Sequence, residues 1–132
     1  MRASGRWHTR GRRVVYCSES PAAALLEILV HFEIDVRDLP TRYRLLKLRA
    51  PDTLVVEDLR AAELPTDWLE HTDRTRAIGD GWLQAGRSAL LRVPSAVVPE
   101  TFNILLNPRH PHAGRLELAQ VSEHALDPRL LK

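Results

Sequence analysis

The chain has 132 residues, of which 44% are apolar and 27% charged, with a formal net charge of +2. That length suits one globular domain with a genuine core, the composition excludes a disordered chain, and the charge is too even to indicate nucleic-acid binding. Cys17 is the only cysteine, so an intrachain disulfide and a Cys-rich zinc site are excluded and a reducing cytoplasm fits. No apolar run approaches membrane-spanning length, and MRASGRWHTRGRR lacks the apolar core of a signal peptide. Lysine occurs only at Lys47 and Lys132. The arginine preference suits forked contacts to phosphate or carboxylate, although a GC-rich genome produces the same bias.

In chain order, residues 13–18 (RVVYCS) predict a strand, because valine and tyrosine suit a pleated, half-buried surface. Ser20 is a plausible N-cap and Pro21 a plausible first residue of a helix running to about Phe32 or Glu33. Residues 43–48 (YRLLKL) and 54–57 (LVVE) read as two strands joined as a hairpin through the turn signal Pro51-Asp52. Pro65, Thr66 and Asp67 open a short helical stretch containing Trp68, and residues 73–85 form a second helix stopped by Gly86. Gly79 and Gly81 weaken that helix. Further strands are expected at 88–93, broken by Pro94, at 97–98, at 104–106 and at 115–118, the last closing the sheet. Many short strands with few helices predict a single α+β domain with mixed, mainly antiparallel sheets.

Residues 22–30 read AAALLEILV, apolar around the whole helical circumference except for Glu27. A carboxylate in such surroundings is costly unless hydrogen-bonded or paired. Two readings stay open: Glu27 faces solvent on a narrow stripe with Ala23, Val30 and His31, or it floors a cleft in which the small Ala23 leaves room for a ligand. His110, His112 and His124 raise the question of a metal, but H-P-H in a proline-rich loop without cysteine or carboxylate at ligand spacing reads as a turn, so no metal is expected. Glu27 and His31, at i and i+4, form half of a metal-like pair that nothing completes. Trp7, Trp68 and Trp82 read as core. The G-D-G at residues 79–81 lacks the spacing of a phosphate-cradling loop, so side chains and strand ends must hold any nucleotide.

Several stretches, taken in order, resemble the RES domain family, named for an arginine, a glutamate and a serine. They are G-R-W-H-T-R-G, then V-V-Y-C-S-E-S-P-A-A-A-L-L-E, then L-R-V-P-S-A-V-V-P-E-T-F-N-I-L-L-N-P, and L-D-P-R-L near the end. The resemblance runs nearly the whole chain, 1–132. It implies an ADP-ribosyltransferase-like fold and a bacterial toxin of a toxin–antitoxin pair. Such a toxin consumes NAD⁺ as substrate, with no resident cofactor, by hydrolysis or phosphorolysis of the nicotinamide–ribose bond, and so causes growth arrest. Some members instead transfer ADP-ribose to a protein. The family arginine falls on Arg6, the strand tyrosine on Tyr16, the glutamate on Glu27 and the serine on Ser95, with Asn103 in the same pattern. The resemblance further implies a cognate Xre-like helix-turn-helix antitoxin and a homodimer, with no membrane contact and no direct nucleic-acid binding. Family members usually begin with a strand and loop ahead of G-R-W, so the N-terminal strand is expected to be missing or shortened here. If that loss abolishes turnover, the alternative is a catalytically inactive RES-fold interaction module.

The chemistry accounts for these residue types. Breaking the nicotinamide–ribose bond builds positive charge on the sugar, which a carboxylate such as Glu27 stabilises; it can also align or deprotonate the attacking water. Arg6 suits a pyrophosphate through its guanidinium fork, although an exposed arginine of a basic arm reads the same. Tyr16 can stack on nicotinamide or hydrogen-bond the ribose, against the alternative of an ordinary strand aromatic. Ser95 can fix a ligand amide or orient Glu27, against a turn serine bonding its own backbone.

Overall fold

The structure is a computed structural model that describes residues 5–31 and 40–131. β1 (Val15–Ser18) runs directly into α1 (Pro21–His31). Ser20 caps that helix, its Oγ accepting the Ala23 N–H at 3.1 Å, and Pro21 takes the first position, where a missing N–H costs nothing. Phe32 and Glu33, the expected helix end, lie outside the described residues. No helix among the described residues is long and apolar enough to cross a membrane.

β1 forms one edge of a four-stranded sheet in the order β1-β5-β4-β3, with β3 (Val56–Asp58), β4 (Leu90–Pro94) and β5 (Phe102–Leu106). β1–β5 and β5–β4 are antiparallel, and β4–β3 is parallel. Alternation along the strands divides the core. Leu91, Val93 and Leu105 point to one face, where they pack with Trp7, Val14, Leu64 and Trp82. Leu90, Ile104 and Leu106 point to the other, against Leu54, Ala89 and Leu116. The first face is covered by α2 (Thr72–Ala85), which buries Thr75, Gly79 and Trp82 at the i, i+4, i+7 spacing of one helical stripe. Gly86 ends α2 in the left-handed region at φ 62°, returning its N–H to the Trp82 carbonyl, as the glycine stop predicts.

The α+β class stands, with mainly antiparallel pairing, and three local expectations need correction. β2 (Arg42–Arg49) does not form a hairpin with β3. It pairs antiparallel with β6 (Glu117–Ala125) in a separate two-stranded sheet, with a register shift at Lys47/Leu48. The turn at Pro51 is present, its carbonyl accepting the Leu54 N–H. Leu54, however, is drawn into the core beside Ala89 and Leu90, which sends the next residues along the free edge of β4. Residues 115–118 therefore do not close the main sheet: Arg115 ends a 3-10 turn (Ala113–Arg115), and only Glu117 and Leu118 are strand, at the start of β6 in the second sheet. Val97 and Val98 form no strand. β4 runs through Pro94, which pairs with Phe102, and the chain bends beyond it because the Val97 and Val98 N–H groups turn back to Ser95 Oγ at 3.1 and 3.2 Å.

Candidate active site

α1 leaves the main sheet at the end of β1, beside the point where Ser18 pairs with Asn103 of β5 and Asn103 with Val93 of β4. Glu27, two turns into α1, faces that strand end. Its Oε1 accepts hydrogen bonds from Ser95 Oγ at 2.8 Å and Asn103 Nδ2 at 2.9 Å. Glu27 therefore does not simply face solvent: its acceptor is turned onto the sheet end and its side chain is half-buried.

The two donors are themselves held. Ser95 is 7% exposed and gives its single proton to Glu27, while the Val97 and Val98 N–H groups fill its lone pairs. The loop beyond is pinned by Ser95 N–H on the Thr101 carbonyl and closes through Glu100 in the left-handed region at φ 65°. Asn103 presents its amide nitrogen to Glu27 because Ser18 Oγ donates to its Oδ1 at 3.3 Å. Ser95 Oγ is thus turned to Glu27, the arrangement of a group that orients the carboxylate.

Tyr16 lies two residues before Ser18 and so on the same face of β1, roughly 7 Å along the strand. Its hydroxyl is already engaged: it accepts the Trp7 N–H at 3.2 Å and lies 2.7 Å from Nδ1 of the buried His8. The arrangement is satisfied when Tyr16 O–H donates to an unprotonated His8 Nδ1. Burial raises the Tyr16 pKa above the usual phenol value, which keeps that proton in place. Tyr16 is nevertheless 38% exposed, so part of the residue faces outward while its hydroxyl is engaged.

The same bonds fix Arg6. The 5–8 segment is tied to α2 through Thr75 Oγ1 on the Arg6 carbonyl at 2.6 Å and Arg76 Nε on the Gly5 carbonyl at 2.7 Å. Arg6 Nη1 donates to the Leu69 carbonyl at 3.2 Å, and its guanidinium carbon lies 6.0 Å from the Trp68 ring centroid. One of five N–H donors is thus used to position the fork. Trp7 and Trp82 are core as expected, at 2% and 3% exposure, and the half-buried Trp68 packs against the same cluster while lying beside the Arg6 guanidinium.

Glu27, Ser95 and Asn103 thus share one hydrogen-bonded cluster, Tyr16 adjoins it on β1, and Arg6 is held to Tyr16 through the next residue's N–H. Ser18 escaped the sequence reading, although its i+2 spacing from Tyr16 was a signal for the same face. Thr75 and Arg76, which hold the Arg6 backbone, are about seventy positions away and carried none. His110 and His112 lie in a turn, as their H-P-H context predicts, whereas His124 is in a strand. His110 Nδ1 accepts the His112 N–H at 3.0 Å, and His124 lies on β6 opposite Tyr43. Among the described residues no three His, Cys, Asp or Glu side chains converge on a metal position.

The RES domain model matches residues 1–127. The protein named Toxin Res from Pseudomonas putida is 46% identical over 130 residues, covering 98% of this chain and 88% of that protein. The Prs ADP-ribosylating toxin of Sphingobium sp. (strain YBL2) is 36% identical over 132 residues, covering 97% and 81%. A chain from the crystal structure of the M. tuberculosis MbcT–MbcA toxin–antitoxin complex superposes with a TM-score of 0.70 at 18% identity, over 98% of this chain and 75% of that one. At that identity the likeness concerns the fold, and it agrees with the α+β arrangement described above. With the family model spanning nearly the whole sequence, the chain belongs to the RES domain family.

Proposed function

We propose that this chain is the toxin of a toxin–antitoxin pair and that it breaks the nicotinamide–ribose bond of NAD⁺, passing ADP-ribose to water or phosphate. The observation that carries this reading is Glu27, an acceptor locked by Ser95 and Asn103 at a sheet end beside a part-exposed tyrosine and a positioned arginine. A carboxylate held in this way needs no reorganisation as positive charge develops on the ribose. Arg6 takes the pyrophosphate, Tyr16 stacks on the nicotinamide, and Ser95 and Asn103 keep Glu27 aimed. Nicotinamide leaves as a neutral base, so no general acid is required. The related toxin named for ADP-ribosylation favours a second reading, in which a protein side chain replaces water as acceptor; the same carbon is attacked in both. The partner is an Xre-like helix-turn-helix antitoxin that covers the cleft, and the toxin works in the cytoplasm as a homodimer.

The test is nicotinamide release from NAD⁺ with and without phosphate, with identification of the ADP-ribose product, on the parent and Glu27→Gln. Glutamine keeps an acceptor for both Ser95 and Asn103 but removes the charge, so turnover should fall by roughly two orders of magnitude with binding little changed. A Glu27→Gln protein with parental turnover would sink the catalytic reading. Co-expression with the neighbouring antitoxin gene should relieve growth arrest and yield a complex.

A further inference from the structure

The arginines are not spread evenly. Arg10, Arg12, Arg13 and Arg109 line one cavity of about 580 Å³. It lies at the opposite end of β1 and β5 from Glu27. The Glu27 cluster occupies the Ser18–Asn103 end of the pairing, whereas Arg13 precedes Val15 and Asn107 follows Leu106, the pairing partner of Val15. Roughly 10 Å of strand separates the two ends.

The cavity wall is built, not a chance cluster of surface side chains. Thr9 grips Asp80 of α2 twice, with N–H on Oδ1 at 3.0 Å and Oγ1 on Oδ2 at 2.7 Å, and Arg12 Nε lies 3.4 Å from the same Oδ1. Arg12 N–H returns to the Thr9 carbonyl, and Gly11 takes φ 93°, a conformation side-chain-bearing residues avoid. The turn so fixed brings the arginines that flank Gly11 to one cavity. The opposite wall is set by Asn107, 4% exposed, whose Oδ1 accepts the Arg109 N–H at 3.1 Å and whose Nδ2 donates to the Leu83 carbonyl at 3.4 Å. Asp80 offsets Arg12, but no acceptor is bonded to the guanidinium of Arg13 or Arg109 among the described residues.

We infer that this cavity is a second anion site and that it takes a di- or triphosphate chain. Its volume is that of a small-molecule site, and guanidinium forks match phosphate oxygens two at a time. Leu83 and Gln84 bring the last turn of α2 to the wall, and its carbonyl end repels anions. That repulsion grows with ligand charge as the attraction does, so the number of guanidinium contacts decides. A compact group with two to four charges engages several arginines at once, where a single charge reaches one. An acidic peptide spreads its charges over successive residues and matches this concentrated cluster less well. The phosphate chain could belong to a free nucleotide or be inorganic, and the site chemistry is the same.

The experiment is titration calorimetry at about 150 mM salt, where long-range attraction is screened. The probes are inorganic phosphate, pyrophosphate, tripolyphosphate, ADP and a poly-glutamate peptide. Affinity should rise in the order phosphate, pyrophosphate, tripolyphosphate. Because Arg6 is itself assigned a pyrophosphate, the probes are titrated into Arg6→Ala, which should still bind pyrophosphate, and adding Arg13→Gln/Arg109→Gln should lower that affinity at least tenfold. Both glutamine substitutions are at exposed positions, and an unchanged melting curve verifies the fold. ADP binding more tightly than pyrophosphate makes the natural ligand a nucleotide, and equal binding makes it the phosphate chain alone. The inference is overturned if pyrophosphate does not bind Arg6→Ala, if its binding there is kept when Arg13→Gln/Arg109→Gln is added, or if only the peptide binds. None of these outcomes depends on whether NAD⁺ is consumed.

Discussion

Ser95 has one proton to give, and giving it to Glu27 leaves its lone pairs to the Val97 and Val98 N–H groups. Ser95→Ala should therefore act twice: it removes a donor that aims the carboxylate and strands two loop N–H groups. A cost of about 1–3 kcal/mol in stability is expected from the lost partners, with a fall of roughly tenfold in nicotinamide release. Denaturant unfolding and kinetics on one preparation check both. Asn103 permits a sharper test, because Asn103→Asp replaces an amide donor with a second carboxyl group 2.9 Å or so from Glu27 Oε1. Two carboxylates at that distance cannot both ionise freely, so one titrates at higher pH. If turnover needs ionised Glu27, the acid limb of the pH–rate profile must move up in Asn103→Asp and return in Asn103→Gln. An unmoved limb would mean that the charge on Glu27 is not what limits the reaction.

Elements were legible where the chain carried its own signal. The Ser20 cap, the Pro21 start and the Gly86 stop are local chemistry, and both helices follow from them. The partnering of strands was not legible, since β2 and β6 are separated by some seventy residues and Pro51 makes a good turn whether or not a hairpin follows. The two glycines of α2 carry opposite meanings that sequence alone could not separate. A Cβ on Gly79 would lie 1.6 Å from the Trp7 carbonyl oxygen, whereas a Cβ on Gly81 would meet nothing within 4 Å. Gly79 is therefore the contact that lets the 5–8 segment, and with it Arg6, lie against the helix. Gly81→Ala should stabilise the protein by about 0.5–1 kcal/mol through helix propensity. Gly79→Ala should destabilise it by more than about 2 kcal/mol, because backbone must move. Thermal melts of the two variants, run side by side, would contradict this account if they shifted in the same direction.

Across the whole molecule, the site joins residues from position 6 to position 103. Sequence reading could name Arg6, Tyr16, Glu27, Ser95 and Asn103 through the family resemblance, but it could not show that Ser95 and Asn103 meet on one oxygen. Such meetings depend on register, and register depends on which strands pair. Three groups with shifted pKa values contribute to how the fold responds to pH, beside the exposed Asp67 and Asp127, which His71 and Arg129 hold below the usual carboxylate value. Glu57 is held below the usual carboxylate pKa by the Ser88 hydroxyl and then by Arg87, against some opposing burial. Its stabilisation is complete above the unfolded value and is lost as pH falls through the lowered one. Burial raises Tyr16 and Cys17 above their usual values. For these acids the fold favours the neutral form, so their contribution is present at neutral pH and is lost as pH rises, when the unfolded chain ionises first. A stability plateau should therefore lie between about pH 5 and 8, with separable flanks. Glu57→Gln should flatten the acid flank alone. Tyr16→Phe/Cys17→Ala should flatten the alkaline flank alone, from a lower plateau, because the Trp7 N–H and His8 lose the phenol oxygen. Melting temperature measured from pH 3 to 10 on the three proteins decides it: parallel curves on either flank would show that the substituted groups do not govern that flank.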